Sequence, residues 1–472
     1  MISCIIVSYN DRVIMNRCLS TLSAQLTQPG DEIIVVDNGS TDGVLEDLRE
    51  RAAQEAAEAN DPKGSPGGDN PGDFALPDVA GAGRKSGCRF RLIENGENAG
   101  FPVGCNIGFA AAAPGNDIFL LNNDAVPAEG ALENLREALY SADDVGAVGA
   151  VSNNALEQIE PGITRDTPLE EALRFGERIG QIDRDHAMDP RGNAPVADGA
   201  KVRKEPETAR NKAYEYRSRL TGFAVLLKRT VVELLVSEDG VFLDPRFSPG
   251  YFEDEDLGVR VALAGYRQIL CHNAFIYHKG GTGFTSHPEA MERGRQKFID
   301  KWGFDCWAYI GILDDYEQAV QGLLAARAGV DSDRAGRPEE RRLPKSGIIS
   351  TGDRLQRSVR DPGFPLRILE PDCGMGVNLA HLQYRYPGST AIGIERDPQI
   401  ARIAATLIDV IGADPEEALR QSMIPGTPEA AVLVPHTFDL IFAWDACSRS
   451  QDPHAMRVAL RGLLKPEGRL IE

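Results

Sequence analysis

The stretch Ile118–Asp124, IFLLNND, decides how the first half of this chain folds. An apolar run stops at two amides and a carboxylate. A buried parallel strand reads as a short apolar run, and ligands of open α/β sheets bind at the carboxyl ends of the strands. Asp124 is therefore placed where a divalent cation and an anionic ligand can meet. Neighbouring segments repeat the pattern. Cys4–Val7 runs into Ser8-Tyr9-Asn10, after which Ile14, Cys18 and Leu22 recur at helical spacing. Glu32–Val36 ends at Asp37-Asn38-Gly39-Ser40-Thr41-Asp42-Gly43, and Arg89–Ile93 and Asp117–Leu121 read as third and fourth strands. This alternation predicts a doubly wound α/β sheet.

Bulk properties narrow the function. The 472 residues suffice for two or three domains, and a hydrophobic share of 42% allows sizeable cores. A net charge of −20 argues against nucleic acid or anionic lipid as the main partner. An anionic substrate then needs a local cation, which an acid-rich site supplies as a bound metal. No apolar stretch approaches the roughly 20 residues of a membrane span. MISCIIVSYN lacks a basic region and a cleavage site, so no signal peptide is expected. The eight cysteines are scattered without a CxxC, which fits reduced thiols in the cytosol.

Two insertions interrupt the first half. Asn60–Gly87 is rich in Gly, Pro, Asp and Ala and reads as a disordered surface loop. Ala155–Arg219 is highly charged, with helical pieces such as Leu169–Ile179. Leu220–Lys228 returns to strand character, Phe242–Gly250 reads as a loop, Glu255–Ala264 as a helix, and Phe275–Tyr277 as a strand leading to His278. Ala325–Asp353 lacks apolar periodicity and reads as a linker. A second α/β pattern follows, with strands at Leu366–Leu369, Ala391–Ile394, Asp409–Gly412, Asp439–Ala443 and Arg469–Ile471.

Several groups converge on the carboxyl edge of the first sheet. Tyr9 can stack on a base and Asp37 can accept from its N–H. Asn98-Ala99-Gly100-Phe101, with Gly104, Asn106 and Gly108, reads as a Gly/Asn loop that a phosphate can approach closely. Mg²⁺ and Mn²⁺ prefer oxygen ligands, and Mn²⁺ tolerates an imidazole; His278, before the flexible Lys279-Gly280-Gly281, is the best imidazole candidate. The acids Glu253-Asp254-Glu255-Asp256 precede a helix, whose field favours carboxylates there and keeps an Asp ionised as a general base requires.

Cys4–Asn10, the DNGSTDG and NAGF loops, Asn122-Asn123-Asp124, the FEDEDL block and His278, taken in order, resemble a family 2 glycosyltransferase of the GT-A fold, nearest its rhamnosyl- and galactofuranosyl-transferase-like branch. The resemblance covers roughly residues 1–302, insertions excepted. It implies the nucleotide-diphospho-sugar transferase fold, a doubly wound mixed sheet. It also implies that Asp124 and His278 bind Mn²⁺ or Mg²⁺, that Asp254 is the catalytic base, and that Tyr9 and Asp37 hold the nucleobase. Asn98, Gly100, Asn122 and Asn123 complete the donor site, Asn123 standing where an Asp is more common. The implied reaction is metal-assisted single displacement with inversion, from a dTDP- or UDP-sugar to a polysaccharide or glycolipid hydroxyl. A sugar-nucleotide pyrophosphorylase would need a Gly-rich basic loop after the first strand, where Ser8-Tyr9-Asn10-Asp11 has no glycine.

In the second half, Glu370-Pro371-Asp372-Cys373-Gly374-Met375-Gly376 closes a first strand, and Glu395 closes the next, placed for ribose hydroxyls. There is no GxGxxG. The pattern resembles a class I S-adenosylmethionine-dependent methyltransferase, which implies cofactor binding by Glu370, Gly374, Gly376, Glu395 and Asp414. Asp372 stands where glycine is usual, and the chain ends at Glu472 as a fifth strand starts, so an incomplete, apparently truncated Rossmann-like domain is expected.

The expected organisation is a glycosyltransferase domain over residues 1–324 (insertions 60–87 and 155–219), a linker over 325–353 and the methyltransferase-like domain over 354–472. The expected protein is a cytoplasmic enzyme without nucleic-acid partners, with peripheral contact at the inner face of the plasma membrane left open. The alternatives are a methyltransferase acting on a glycan and a non-catalytic binder of sugar nucleotides or glycans.

Overall fold

A computed structural model describes residues 1–60, 88–182, 213–280, 288–327 and 365–472. The first sheet is built from β1 (Ile2–Ser8), β2 (Glu32–Asp37), β3 (Arg89–Glu94), β4 (Asp117–Asn122), β5 (Ala125–Pro127), β6 (Val145–Val151), β7 (Tyr214–Arg217), β8 (Ala224–Leu227) and β9 (Arg267–His278). Its helices are α1 (Arg12–Gln25), α2 (Val44–Asn60), α3 (Phe101–Ala111), α4 (Ala131–Leu139), α5 (Leu169–Ile182), α6 (Arg229–Asp239), α7 (Glu253–Leu263) and α8 (Pro288–Trp302). The strand order is β3-β2-β1-β4-β8-β6-β9-β5, with β7 paired to β9 off this path. β1 to β4 pair in parallel, whereas β8 runs antiparallel to β4 and β6, and β5 antiparallel to β9. The α/β sheet is thus mixed. The central strands β1, β2 and β4 are apolar because both faces are covered, and Ile5, Ile34 and Leu121 are all fully buried.

Register gathers the strand ends at one edge. Ser8 lies opposite Asp37 and Val7 opposite Asn122, so the turns after β1, β2 and β4 open side by side. α3 lies close over β1. A Cβ on Gly104 would come within 2.7 Å of a Val7 methyl, and one on Gly108 within 2.4 Å of an Ile5 methyl. This corrects the Gly/Asn loop: Gly104, Asn106 and Gly108 are helical. The glycines clear room for β1, and Asn106 exchanges hydrogen bonds with the Leu243 backbone (2.7 and 2.9 Å).

After α9 (Asp314–Arg327) a second sheet is formed by β10 (Arg367–Pro371), β11 (Thr390–Glu395), β12 (Asp409–Gly412), β13 (Phe438–Phe442) and β14 (Leu464–Ile471). Its helices are α10 (Val377–Arg385), α11 (Pro398–Ala404), α12 (Pro415–Ser422), α13 (Pro428–Val432), α14 (Trp444–Arg449) and α15 (Pro453–Leu463). All its strand pairs are parallel, in the order β12-β11-β10-β13-β14. β14 starts five residues earlier than expected, taking in Leu464–Gly468 with a register shift opposite Phe438 and Leu440. The expected loop over 61–87 and linker residues 328–353 lie outside the described residues; Ala325–Arg327 close α9 instead.

The chain divides into two compact units: Met1–Asp185, Leu220–Leu257 and Cys271–Gly303 in one; His186–Arg219, Gly258–Leu270 and Phe304–Glu472 in the other. β7 therefore groups with the second sheet. Its Glu215 carries the reason, since His381 on α10 approaches it through Nδ1 at 2.9 Å. All eight cysteines are free. Among the described residues no helix is long and apolar enough to cross a membrane.

Candidate metal and donor site

Asp124 follows the last apolar residues of β4 and is 5% exposed. The short strand β5 begins one residue later and pairs Ala125 with His278 at the end of β9. That register brings the imidazole against the carboxylate: Asp124 Oδ1 lies 3.3 Å from His278 Nε2. The other ring nitrogen, Nδ1, sits 2.7 Å from the Asn154 carbonyl oxygen. A carbonyl can only accept, so Nδ1 carries the hydrogen and Nε2 presents its lone pair to Asp124. Two acceptors then face each other, and a cation between them, proton or metal, reconciles them.

The titration behaviour agrees. Burial on its own pushes the Asp124 pKa up and the His278 pKa down. Their mutual hydrogen bond and opposite charges reverse both, helped by the Gly280 N–H on Asp124 and the Asn154 carbonyl on His278, so Asp124 ends below its usual value and His278 above. Asn153 fixes the backbone of His278 from both sides, accepting its N–H (2.9 Å) and donating to its carbonyl (3.2 Å). Phe223 stacks on the ring at 5.0 Å. Asn122 Nδ2 lies 3.4 Å from Nε2.

The other predicted residues lie as follows. Asn123 turns away, donating to the Asn10 carbonyl at 2.8 Å. Asp37 is 1% exposed; its Oδ2 accepts from Gly39 and Ser40 N–H groups, while its Oδ1 is buried with no hydrogen-bond partner among the described residues. Tyr9 is half-buried at the end of β1. Asn98 accepts from the Gly100 N–H at 3.1 Å. Gly100, with φ +88°, packs against the loop before α7, where a Cβ would stand 2.6 Å from Pro249 Cα.

Asp254 stands in the first turn of α7, after Tyr251 and Phe252, both left-handed (φ 76° and 70°). That backbone is strained for bulky residues. Its Oδ2 accepts from the Gly222 N–H at 3.2 Å and its Oδ1 from the Glu255 N–H at 3.1 Å. Gly222 precedes Phe223, whose ring stacks on His278 and whose carbonyl accepts from Asn122 N–H at 2.8 Å. One short strand entry therefore links Asp254 to the Asp124–His278 pair. Burial, then the charge of Asp254, raises the pKa of neighbouring Glu253.

Sequence reasoning missed Asn153, Asn154, Phe223 and Lys279. Lys279 Nζ pairs with Asp11 at 2.9 Å, tying the end of β9 to the turn after β1. The asparagines were findable: the apolar run of β6 ends in two amides, as β4 does. Among the described residues no group of three His, Cys, Asp or Glu side chains is placed to hold a metal. The described residues offer a pair, an oxygen and an imidazole nitrogen, a donor set that fits Mn²⁺.

At the second sheet, the acids expected to bind a cofactor already have partners. Glu370 accepts from the Tyr316 hydroxyl. Glu395 accepts from the N–H groups of Gly374 (2.9 Å) and Asp397 (2.8 Å). Asp414 caps α12 and approaches Arg396, which also grips Asp372 with two hydrogen bonds of 2.9 and 3.0 Å. Gly376 packs on Ile408.

Residues 3–62 match the family model described as Glycosyl transferase family 2. No curated protein matches the chain. Among solved structures, the chain is similar to the mannosyltransferase PcManGT from Pyrobaculum calidifontis in complex with GDP-Man and Mn²⁺, at 17% identity and a TM-score of 0.38, covering 71% of this chain and 76% of that one. It is similar to GalNAc-T7 with UDP, GalNAc and Mn²⁺ at 13% identity and a TM-score of 0.38, covering 71% of this chain and 52% of that one. Glucosyl-3-phosphoglycerate synthase from Mycobacterium tuberculosis, in complex with Mg²⁺ and uridine-diphosphate, matches at 15% identity and a TM-score of 0.22, over 32% of this chain and 43% of its own. The chain thus spans about three quarters of the mannosyltransferase and about half of GalNAc-T7.

Proposed function

We propose that this chain is an inverting glycosyltransferase that moves a sugar from a nucleoside-diphosphate donor to a hydroxyl of a polysaccharide or glycolipid. The observation that carries this reading is the facing pair of acceptors, Asp124 Oδ1 and His278 Nε2, at the edge where β1, β2 and β4 end. Asp124 and His278 hold the divalent ion, which when bound offsets charge on the departing diphosphate. The unpartnered Oδ1 of Asp37 accepts from the nucleobase, and Tyr9 lies alongside it. Asp254 takes the proton of the acceptor hydroxyl. The freed oxygen bonds to the anomeric carbon as the bond from that carbon to the diphosphate breaks. One displacement without an enzyme nucleophile inverts the configuration. The eight free thiols fit a cytosolic setting.

The test is a thermal-shift and calorimetric screen of UDP-, dTDP- and GDP-sugars with and without Mn²⁺. Because the described residues supply a pair of ligands, Mn²⁺ alone should bind weakly and a matching nucleotide should strengthen it. Tight Mn²⁺ binding indifferent to every nucleotide, or nucleotide binding indifferent to Mn²⁺, would reject the shared site.

A further inference from the structure

In open α/β sheets a ligand binds beyond the carboxyl ends of the strands, where the strand order reverses. In the second sheet that point lies between β10 and β13. Glu370 and the Cys373-Gly374 turn lie on one side of it, Phe442 and Trp444 on the other, and Glu395 ends the next strand.

The chain itself enters this crevice. Tyr316, on α9, is 6% exposed; its ring centroid lies 4.4 Å from that of Phe442 and 4.5 Å from that of Trp444, and its hydroxyl donates to Glu370. Tyr309, before α9, covers the glycine turn: a Cβ on Gly374 would stand 2.4 Å from Tyr309 Cδ1. Burial, then the nearby charge of Glu395, raises the Tyr309 pKa, against the opposing charge of Arg449. The connecting segment is pinned where the Leu313 N–H donates to Asn378 on α10 at 2.8 Å. A nucleoside cofactor needs the ground over Gly374 for close backbone approach and a free carboxylate for its ribose. Here Tyr309 holds the first, while each oxygen of Glu395 accepts one backbone N–H and keeps a second lone pair.

We infer that Tyr309 and Tyr316 fill the nucleotide crevice of the second sheet, so that S-adenosylmethionine has no seat there in the chain as folded and gains one when the Tyr309 ring is removed. The second sheet is then a closed module whose strand-end acids serve the fold. This inference is independent of the sugar-transfer reading, since neither tyrosine belongs to the Asp124–His278 site.

The test titrates S-adenosylmethionine and S-adenosylhomocysteine into the full chain by calorimetry, for wild type, Tyr309→Phe and Tyr309→Ala. No saturable heat is expected for wild type and Tyr309→Phe, and saturable binding is expected for Tyr309→Ala. A crevice open less than a tenth of the time weakens apparent affinity at least about tenfold, so a gain of that size or more supports the inference. Equal binding by wild type and Tyr309→Ala overturns it, as does a folded Tyr309→Ala that binds neither compound. If Tyr309→Ala does not fold, Tyr309→Leu takes its place with the same expected and overturning results. Micromolar binding by wild type overturns the inference whatever the variants do.

Discussion

Neighbouring groups hold the Asp124–His278 pair in one geometry. Asn154 occupies Nδ1, Gly280 occupies the second carboxylate oxygen, and Asn153 clamps the backbone. Loss of a group that orients a metal-binding histidine commonly weakens metal affinity 10–100-fold. Asn153→Ala is therefore expected to weaken Mn²⁺ binding in the presence of nucleotide by about 10–100-fold, read by calorimetry, with the fold intact by circular dichroism. Asp254→Asn keeps size and the Gly222 contact but removes the basic oxygen. Turnover should fall about 10²–10⁴-fold, while the donor dissociation constant stays within about threefold; unchanged turnover would move the base elsewhere. The positions of Asp124, Asp254 and His278 in the fold were legible because each ends an apolar run or opens a helix, which local pattern sets. Asn98 and Gly100 were legible as a loop, but the packing of Gly100 on Pro249 depends on chain that lies far away in sequence.

The strands buried on both faces, β1, β2 and β4, could be read from an apolar run alone. β5 has three residues and β7 has four, YEYR, so neither carries enough period to be seen. α3 was mistaken for a loop because glycine punctuates turns more often than it lines a helix–sheet contact. Gly108→Ala tests that contact. The added methyl meets Ile5, and overpacking of this kind costs about 1–3 kcal/mol, to be seen as a lower denaturant midpoint with unchanged slope. β7, α9 and α10 share a buried ionic network: Arg217 with Glu215 (2.9 Å), His381 with Glu215 (2.9 Å), and Arg385 with Glu317 (2.6 Å). Burial opposes the charged forms, yet Glu215 and Glu317 raise the His381 pKa above 6.5, and His381 and Arg385 lower the Glu317 pKa below 4.5. The His381 contribution is fully present below its unfolded value and disappears as pH rises through the raised folded one. The Glu317 contribution is present above its unfolded value and disappears as pH falls through the depressed folded one. The network thus stabilises most between 4.5 and 6.5. The melting-temperature gap between wild type and His381→Gln should be wide near about pH 5.5 and narrow near about pH 8.5; a gap that does not change with pH would remove His381 from this role.

Taken together, the two sheets were visible in the sequence, but the allocation of segments to compact units was not. His186–Arg219 and Gly258–Leu270 group with Phe304–Glu472, an arrangement fixed by tertiary pairing such as His381 to Glu215. A chain cut after Gly303 keeps β7 and loses α9 and α10. It should unfold at a lower temperature than the first transition of the full chain, read by scanning calorimetry; an unchanged transition would show that β7 needs neither helix. The register of β5 on β9 has a further consequence, for biosynthesis. Asn122 and His278 are 156 positions apart. Domains emerge from the ribosome starting with the amino terminus, at about 5–20 residues per second. Asp124 thus leaves the exit tunnel well before His278, and no nascent fragment short of β9 can form the Asp124–His278 contact. A half-made chain holds the carboxylate without the imidazole that faces it in the finished fold.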